Sequence, residues 1–203
     1  MNETPPSRMM YPATLPTGKY SEIPENSSAS KEFISFCQSI HICYYISTTG
    51  LQDFAKDLKK RRPNPERTMY FGKGHPNDGN YHAKINMREL SKSVQKDGSY
   101  YDALAKSQIV LIFASWDEHY RTLIAQENNC GNAQITSDLM GDIRLIRNCI
   151  IHNKSIITSE PKRMKVLSWK LEPGPLFITD DMFQSLIEHI NGITINYQEI
   201  ERP

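Results

Sequence analysis

The stretch IVLIFASW, residues Ile109 to Trp116, decides the fold that we predict for this chain of 203 residues. Its side chains are apolar on several faces of a helix, and charged residues follow only from Asp117 onward. A helix that is apolar on several faces is normally buried between neighbouring elements. We therefore predict that residues 101–126 form the central core helix.

Three further segments have apolar side chains at alternating steps of three and four, which is the period of an amphipathic helix. They are residues 33–58, 139–150 and 183–190. The first could break at Gly50 and ends in a basic run before Pro63. The second follows a capping residue, Thr136 or Ser137, and the third follows Thr179. The four helices predict an all-α fold, a helical bundle.

The rest of the chain has weaker patterns. Residues 1–30 contain five prolines and no sustained apolar period, which indicates a flexible N-terminal arm before a helical domain at residues 31–203. Residues 63–82 are rich in proline and glycine and are interpreted as a connector, with a short helix at 86–95. The run KVLSWKL, residues 165–171, followed by EPGP and LFI, predicts a minor β-hairpin or an extended flap near the C-terminus.

Composition and motifs argue against several protein classes. No apolar run approaches the ~20 residues that span a bilayer, and the N-terminus lacks a basic region followed by an apolar one. We therefore expect a cytoplasmic protein with no membrane partner. No phosphate-binding glycine loop and no serine nucleophile elbow is present. Cys37 and His41 lie one turn apart, but no second close Cys/His pair completes a zinc site, so we expect no metal and no cofactor.

The predicted helix that contains residues 139–150 carries the side chains that suggest a catalytic or binding role. Arg144, Asn148 and His152 form one row at steps of four, Arg147 lies beside it, and Asp142 precedes it by one turn. Guanidinium groups bind phosphate oxygens, and a histidine can exchange a proton near neutral pH. The row therefore suits phosphodiester cleavage without a metal. A helix end whose cations stabilise its own dipole is an equally open interpretation of the spacing.

The run GDIRLIRNCIIHN, residues 141–153, resembles the signature of the HEPN superfamily, an arginine and a polar residue, then three residues and a histidine near a helix end. The run ASWDEHY, residues 114–120, is similar to the aromatic and acidic box on the central helix of bacterial HEPN proteins. The resemblance is clearest over residues 105–155 and extends to about residue 192, so that residues 101–192 form the best-supported core.

The resemblance implies an antiparallel helical bundle that forms a homodimer, with two copies of the motif facing one cleft. It implies a ribonuclease that acts on RNA as a toxin or phage-defence effector, with an antitoxin protein as a further partner. Carried over by position, Arg147 and His152 would be catalytic and Asn148 would position the substrate. Arg144, Asp142 and Glu118 are added as supporting residues because of proximity alone. The alternative is a non-catalytic HEPN module that binds a nucleotide, RNA or a protein.

A second basic feature lies outside this motif. Residues 56–67 contain six cations and two carboxylates, a net charge of +4. Such a block could hold an RNA backbone through release of counterions. A solvated helix end would have the same composition, so the sequence leaves both interpretations open.

Overall fold

The structure, a computed structural model, describes residues 20–23, 27–158 and 164–198, and most of these residues are helical. The helices within these ranges are α1 Ser28–Arg61, α2 Met87–Ser93, α3, α4 Asp138–His152 and α5 Asp180–Asn191. α3 is continuous and has three parts, Ser99–Ser115, a π-helical turn at Trp116–Tyr120, and Arg121–Glu127.

α3 is the central helix, as its apolar block predicted. It packs against the other four helices. Ile109 and Ile112 are fully buried, and Phe113 and Trp116 are nearly so. Burying one side chain of this size contributes about 1.5–3 kcal/mol, so this block is a large part of the driving force that assembles the helices around α3.

α1 runs without interruption through Gly50, where the sequence left a break open. The N-terminus of α1 is held by a residue that is distant in the sequence. The carboxylate of Glu127, at the end of α3, accepts hydrogen bonds from Ser27 Oγ at 2.6 Å and from the Ala29 amide at 3.0 Å. α1 ends at Arg61, and the C-cap residue Arg62 adopts a left-handed conformation (φ 48°) before Pro63.

Seven short strands form three small antiparallel sheets within the described residues, so the fold is mostly helical rather than all-α. The strands are β1 Tyr20–Glu22, β2 Thr68–Gly72, β3 Tyr81–Asn86, β4 Ile135–Thr136, β5 Ile156–Ile157, β6 Gly174–Pro175 and β7 Asn196–Gln198. The sheets have the strand orders β1-β7-β4, β2-β3 and β5-β6.

The domain begins earlier than the predicted boundary at residue 30. Of the predicted arm, residues 1–19 and 24–26 lie outside the described residues. β1 pairs with β7, and the buried Ile23 donates its amide to Ile195 O at 2.8 Å. Residues 20–23 therefore belong to the folded domain and not to a flexible arm.

The predicted connector at residues 63–82 is wrong in part, because it contains β2 and the start of β3, which pair as a hairpin. One face of the hairpin packs, through Met69 and Ile85, on a second small core formed by α1 and α2. Of the two forms predicted for residues 165–178, a hairpin or an extended flap, the hairpin is not formed. The segment 164–173 has no strand, and β6 pairs instead with β5, directly after α4.

Candidate functional site

α4 positions the predicted site. Its apolar stripe, Leu139, Ile143 and Ile146, is buried in the main core against α3. The other side of α4 carries Arg144, Arg147 and Asn148, and His152 is its last residue. Packing one face of α4 therefore presents the motif on the opposite face.

Arg147 is the centre of the motif. Its Nη1 lies 3.1 Å from His152 Nε2 and 3.2 Å from Asn148 Oδ1, and its guanidinium carbon lies 5.8 Å from the centroid of the Phe113 ring. A guanidinium group only donates hydrogen bonds, so His152 must accept through Nε2 and carry its proton on Nδ1. The Nε2 edge of His152 therefore faces the Arg147 guanidinium.

The three side chains of the motif differ in solvent exposure. Arg147 and Asn148 are half-buried, whereas His152 is exposed at the end of α4. The turn that follows holds Lys154 and Ser155 in the left-handed region, at φ 52° and 59°. A left-handed residue other than glycine costs about 1 kcal/mol or more. This turn ends α4 directly after His152 and leaves the imidazole open to an approaching molecule.

A groove of about 490 Å³ lies between α3 and α4 and reaches Arg147 and Asn148. Phe113, Trp116 and Met140 are among its apolar lining residues. Its charged lining residues are Arg121, Arg144, Arg147 and Asp117. Asp117 pairs with Arg121 at 3.2 Å, while neither Arg144 nor Arg147 has an ion pair among the described residues. The groove therefore carries two guanidinium groups without a counter-charge and suits an anionic ligand.

The groove continues to the N-terminus of α4. Ser137, the N-cap residue, lines it, yet its Oγ is buried and has no hydrogen-bond partner among the described residues. Helix N-termini favour anions because their first amides are not used within the helix. Arg147 and Ser137 thus mark the two ends of one positively polarised surface.

Two predicted supporting residues do not line this groove. Asp142 is buried at 2% exposure, and its carboxylate accepts the amides of Lys165, Val166 and Leu167 at 2.8–2.9 Å. It fixes the extended segment after α4. Glu118 is exposed on the π-helical turn, and its neighbour Asp117 lines the groove instead.

The sequence analysis missed Arg121 and Phe113 as groove residues. Arg121 lies four residues after Asp117, which is the spacing of neighbours on a helix surface, and the two side chains pair at 3.2 Å. It was missed because the predicted site residues were taken from the motif on α4 and from Glu118. Phe113 was assigned to the core because of its apolar context, and it is in fact both buried and in contact with Arg147.

Other side chains with reactive potential are occupied or isolated. The described residues contain no group of three or more His, Cys, Asp or Glu side chains placed to hold a metal ion. His41 Nε2 lies 2.6 Å from Gln184 Oε1, and burial raises the pKa of Cys37 to about 12. All four cysteines are free thiols, and only Cys37 is buried. No helix in the described ranges has the length and apolar character of a membrane span.

Comparisons of the chain with protein-family models, with curated proteins and with solved structures found no match. The resemblance to HEPN proteins consequently stays a prediction that depends on the residues of α3 and α4.

Proposed function

We propose that this chain is a metal-independent endoribonuclease of the HEPN type, in which Arg147 and His152 act on a phosphodiester bond of RNA. The observation that carries the proposal is the 3.1 Å contact between Arg147 Nη1 and His152 Nε2 at an exposed helix end, beside a cationic groove. A phosphate-binding cation and a proton acceptor at this separation could contact one phosphodiester together.

The resting contact suggests how substrate binding would activate the histidine. An arriving phosphate competes for the Arg147 donors, because a charge-assisted bond to phosphate is stronger than one to a neutral imidazole. Once Arg147 turns to the phosphate, Nε2 of His152 is free to accept a proton. The proposed base is therefore released only when the substrate is present.

The chemical step would follow as an internal displacement. His152 Nε2 removes the proton of the ribose 2′-hydroxyl, and the 2′-oxygen forms a bond to phosphorus while the bond to the 5′-oxygen breaks. The leaving oxygen takes up a proton from an imidazolium or from water. Arg147 stabilises the negative charge on the phosphoryl oxygens, and the products are a 2′,3′-cyclic phosphate and a 5′-hydroxyl.

Asn148 would be a positioning residue. Its Oδ1 accepts from Arg147 Nη1 and so holds the guanidinium over Phe113 and toward the groove. Arg144, which is exposed and lines the groove, would bind a neighbouring phosphate.

We also propose a homodimer, because each chain supplies one copy of the motif and the resemblance implies a composite site. Ile151 and Ile156, on either side of the turn after His152, are exposed at 49% and 48%. Apolar side chains in this place would be covered by a second copy. Action as a cytoplasmic toxin or phage-defence effector, restrained by an antitoxin, is part of the same proposal.

The alternative is a non-catalytic nucleotide-binding or protein-interaction module. The specific observation in its favour is that His152 does not line the groove, which by itself could bind a nucleotide through Arg144 and Arg147. This alternative predicts ligand binding without any change in the RNA.

Incubating the purified protein with total RNA, with and without EDTA, tests the two proposals. The ribonuclease proposal requires cleavage in both conditions, with 2′,3′-cyclic phosphate ends, and loss of cleavage in His152→Ala. Intact RNA at every enzyme concentration, together with nucleotide binding that depends on Arg144, would overturn it in favour of the binding module.

A further inference from the structure

The β2-β3 hairpin has one face that packs on nothing in the described structure. Met69 and Ile85 face the small core, so strand alternation places Tyr70 and Lys84, which are paired across the strands, on the open face. Tyr70 is 42% exposed. The open face is therefore aromatic and cationic.

A bulge brings a second aromatic ring to this face. The register shifts after Phe71, so that Tyr81 pairs with Gly72 and shares the face of Tyr70. A Cβ at Gly72 would lie 2.6 Å from the Tyr81 Cα, which explains why glycine occupies the bulge. The Tyr70 and Tyr81 ring centroids are 5.1 Å apart with the rings nearly perpendicular, an edge-to-face pair. The two rings form an aromatic platform.

A pocket of about 430 Å³ lies between the end of α1 and α2. Its apolar lining includes Leu58, Pro63 and Met87, and its cationic lining residues are Lys59, Arg62, Arg88 and Lys92. Arg88 pairs with Glu66. Lys59, Arg62 and Lys92 have no ion pair among the described residues, and no carboxylate lines the pocket.

The root of the hairpin lies beside the pocket, because Pro65, Met87 and Arg88 line it. Residues 62–67, including Pro65 and Arg67, connect α1 to the hairpin, and β3 is followed directly by α2. The Met87 amide donates to Arg67 O at 2.9 Å, and the Arg88 amide donates to Pro65 O at 3.1 Å. These bonds hold the first turn of α2 against the root of the hairpin. None of the residues of this surface lines the groove at Arg147.

A solvated, dipole-stabilising helix end explains Lys59 and Lys60 at the end of α1. It does not explain the pair formed by the exposed Tyr70 and the half-buried Tyr81 beside Lys84 on the adjacent hairpin, or an apolar pocket with a cationic rim. Surfaces that combine aromatic rings and cations bind single-stranded nucleic acids, because the bases stack on the rings and the phosphates pair with the cations.

We propose that the hairpin face and the adjoining pocket form a docking surface for single-stranded RNA, separate from the site at Arg147 and His152. Bases stack on Tyr70 and Tyr81 or enter the apolar pocket, and the phosphates contact Lys84, Lys59 and Lys92. The surface would recruit RNA whether or not the chain cleaves it, so the inference does not depend on the proposed ribonuclease activity.

Binding is tested with a labelled 2′-O-methyl oligouridylate of about 12 nucleotides, a length within the range that one such surface covers. Its methylated 2′-oxygen prevents the proposed cleavage, so fluorescence anisotropy measures docking alone. The full chain is compared with Tyr70→Leu, and Phe71→Leu is the matched control, because Phe71 is similarly exposed at 48% but lies on the opposite face. Circular dichroism verifies that both variants fold.

The expected result is that Tyr70→Leu weakens binding roughly 5- to 100-fold, the loss of one stacked base, while Phe71→Leu leaves the Kd within about twofold. His152→Ala leaves the Kd unchanged, which separates this surface from the proposed active site. A sugar-phosphate oligomer of the same length without bases binds to all variants more weakly than the oligouridylate does.

The charged part of the surface is tested independently through salt dependence. Lys59→Gln and Lys92→Gln each lower the slope of log K against log salt by about 0.7, one phosphate contact on a single strand. Lys170→Gln, an equal charge change on the segment after α4, leaves the slope unchanged. Equal effects of Tyr70→Leu and Phe71→Leu, equal binding of the oligomer without bases, or binding to acidic lipid vesicles but not to RNA would each overturn the proposal.

Discussion

The substitution Asp142→Ala tests whether Asp142 has a structural or a catalytic role. The carboxylate accepts three backbone amides, from Lys165, Val166 and Leu167, and it is almost completely buried. Alanine leaves three donors in place without an acceptor. Each unsatisfied buried group costs about 1–3 kcal/mol, and water entering the space relieves part of that cost, so we expect a loss of roughly 3–6 kcal/mol.

The loss is a large fraction of the stability of an ordinary domain, about 5–15 kcal/mol. Urea denaturation followed by circular dichroism measures it, and limited proteolysis should show earlier cleavage around residues 164–173. Asp142→Asn is the matched control, because the amide retains one acceptor oxygen and the shape of the side chain. We expect it to lose about half as much stability.

The reasoning would be refuted if Asp142→Ala unfolded within about 0.5 kcal/mol of the unchanged protein. A variant of normal stability that had lost RNA cleavage would give Asp142 the supporting role that its proximity to the motif first suggested. Cleavage should instead decline only in proportion to the fraction of folded protein.

Three further results are expected. His152→Ala and Arg147→Ala should each reduce RNA cleavage by about 100-fold or more with the helical signal intact, and the double variant should be little worse, since both groups serve one transition state; wild-type activity in His152→Ala would contradict this. Deleting residues 1–19 should leave the melting temperature nearly unchanged, whereas deleting residues 1–26 removes β1 and the buried Ile23 and should lower it by several degrees; equal melting of both proteins would show that β1 adds nothing. The free energy of unfolding should fall as pH rises from about 9 toward 12, by up to about 1.4 kcal/mol per pH unit, because burial raises the pKa of the Cys37 thiol and the unfolded thiol ionises first. Cys37→Ala should remove this part of the pH dependence in urea titrations. An unchanged dependence of the unfolding free energy on pH in this variant would count against the explanation.

The helices with strong local signals were predicted well from the sequence. α4 begins after Ser137, one of the two predicted capping residues, and spans Asp138–His152 around the predicted stretch 139–150. Its apolar stripe lies within about 15 consecutive residues, so a local pattern was enough to find it. α5 likewise begins after Thr179, whose side chain accepts the Met182 amide, and ends at Asn191, directly before Gly192.

The errors arose where the structure depends on residues far apart in the chain. Nothing near Asp142 reveals that its partners are amides 23 to 25 positions later. β1 pairs with β7 across almost the whole domain, and three-residue strands carry no periodic signal. The β2-β3 hairpin was missed because prolines and glycines at its ends and in its loop outweighed the short alternation of apolar residues around Met69 and Ile85.

The candidate site was predicted in its centre but not at its edges. Arg147, Asn148 and His152 fall at helical spacings on one element, so their contacts follow from sequence alone. Arg121 reaches the same groove from α3, outside the motif, and the packing of α3 on α4 cannot be read from the spacing of residues in either helix.

The two hydrogen bonds of Glu127 to the start of α1 also constrain the order in which the chain can mature during synthesis. The first turn of α1 contains no acidic residue. Ser27 Oγ accepts the Ser30 amide locally, but the acceptor of the Ala29 amide is a side chain 98 positions later. At roughly 5–20 residues per second, a ribosome needs about 5–20 s to add that length. During this interval α1 lacks both this terminal acceptor and α3, so its N-terminal turn should exchange its amide hydrogens rapidly until α3 is complete.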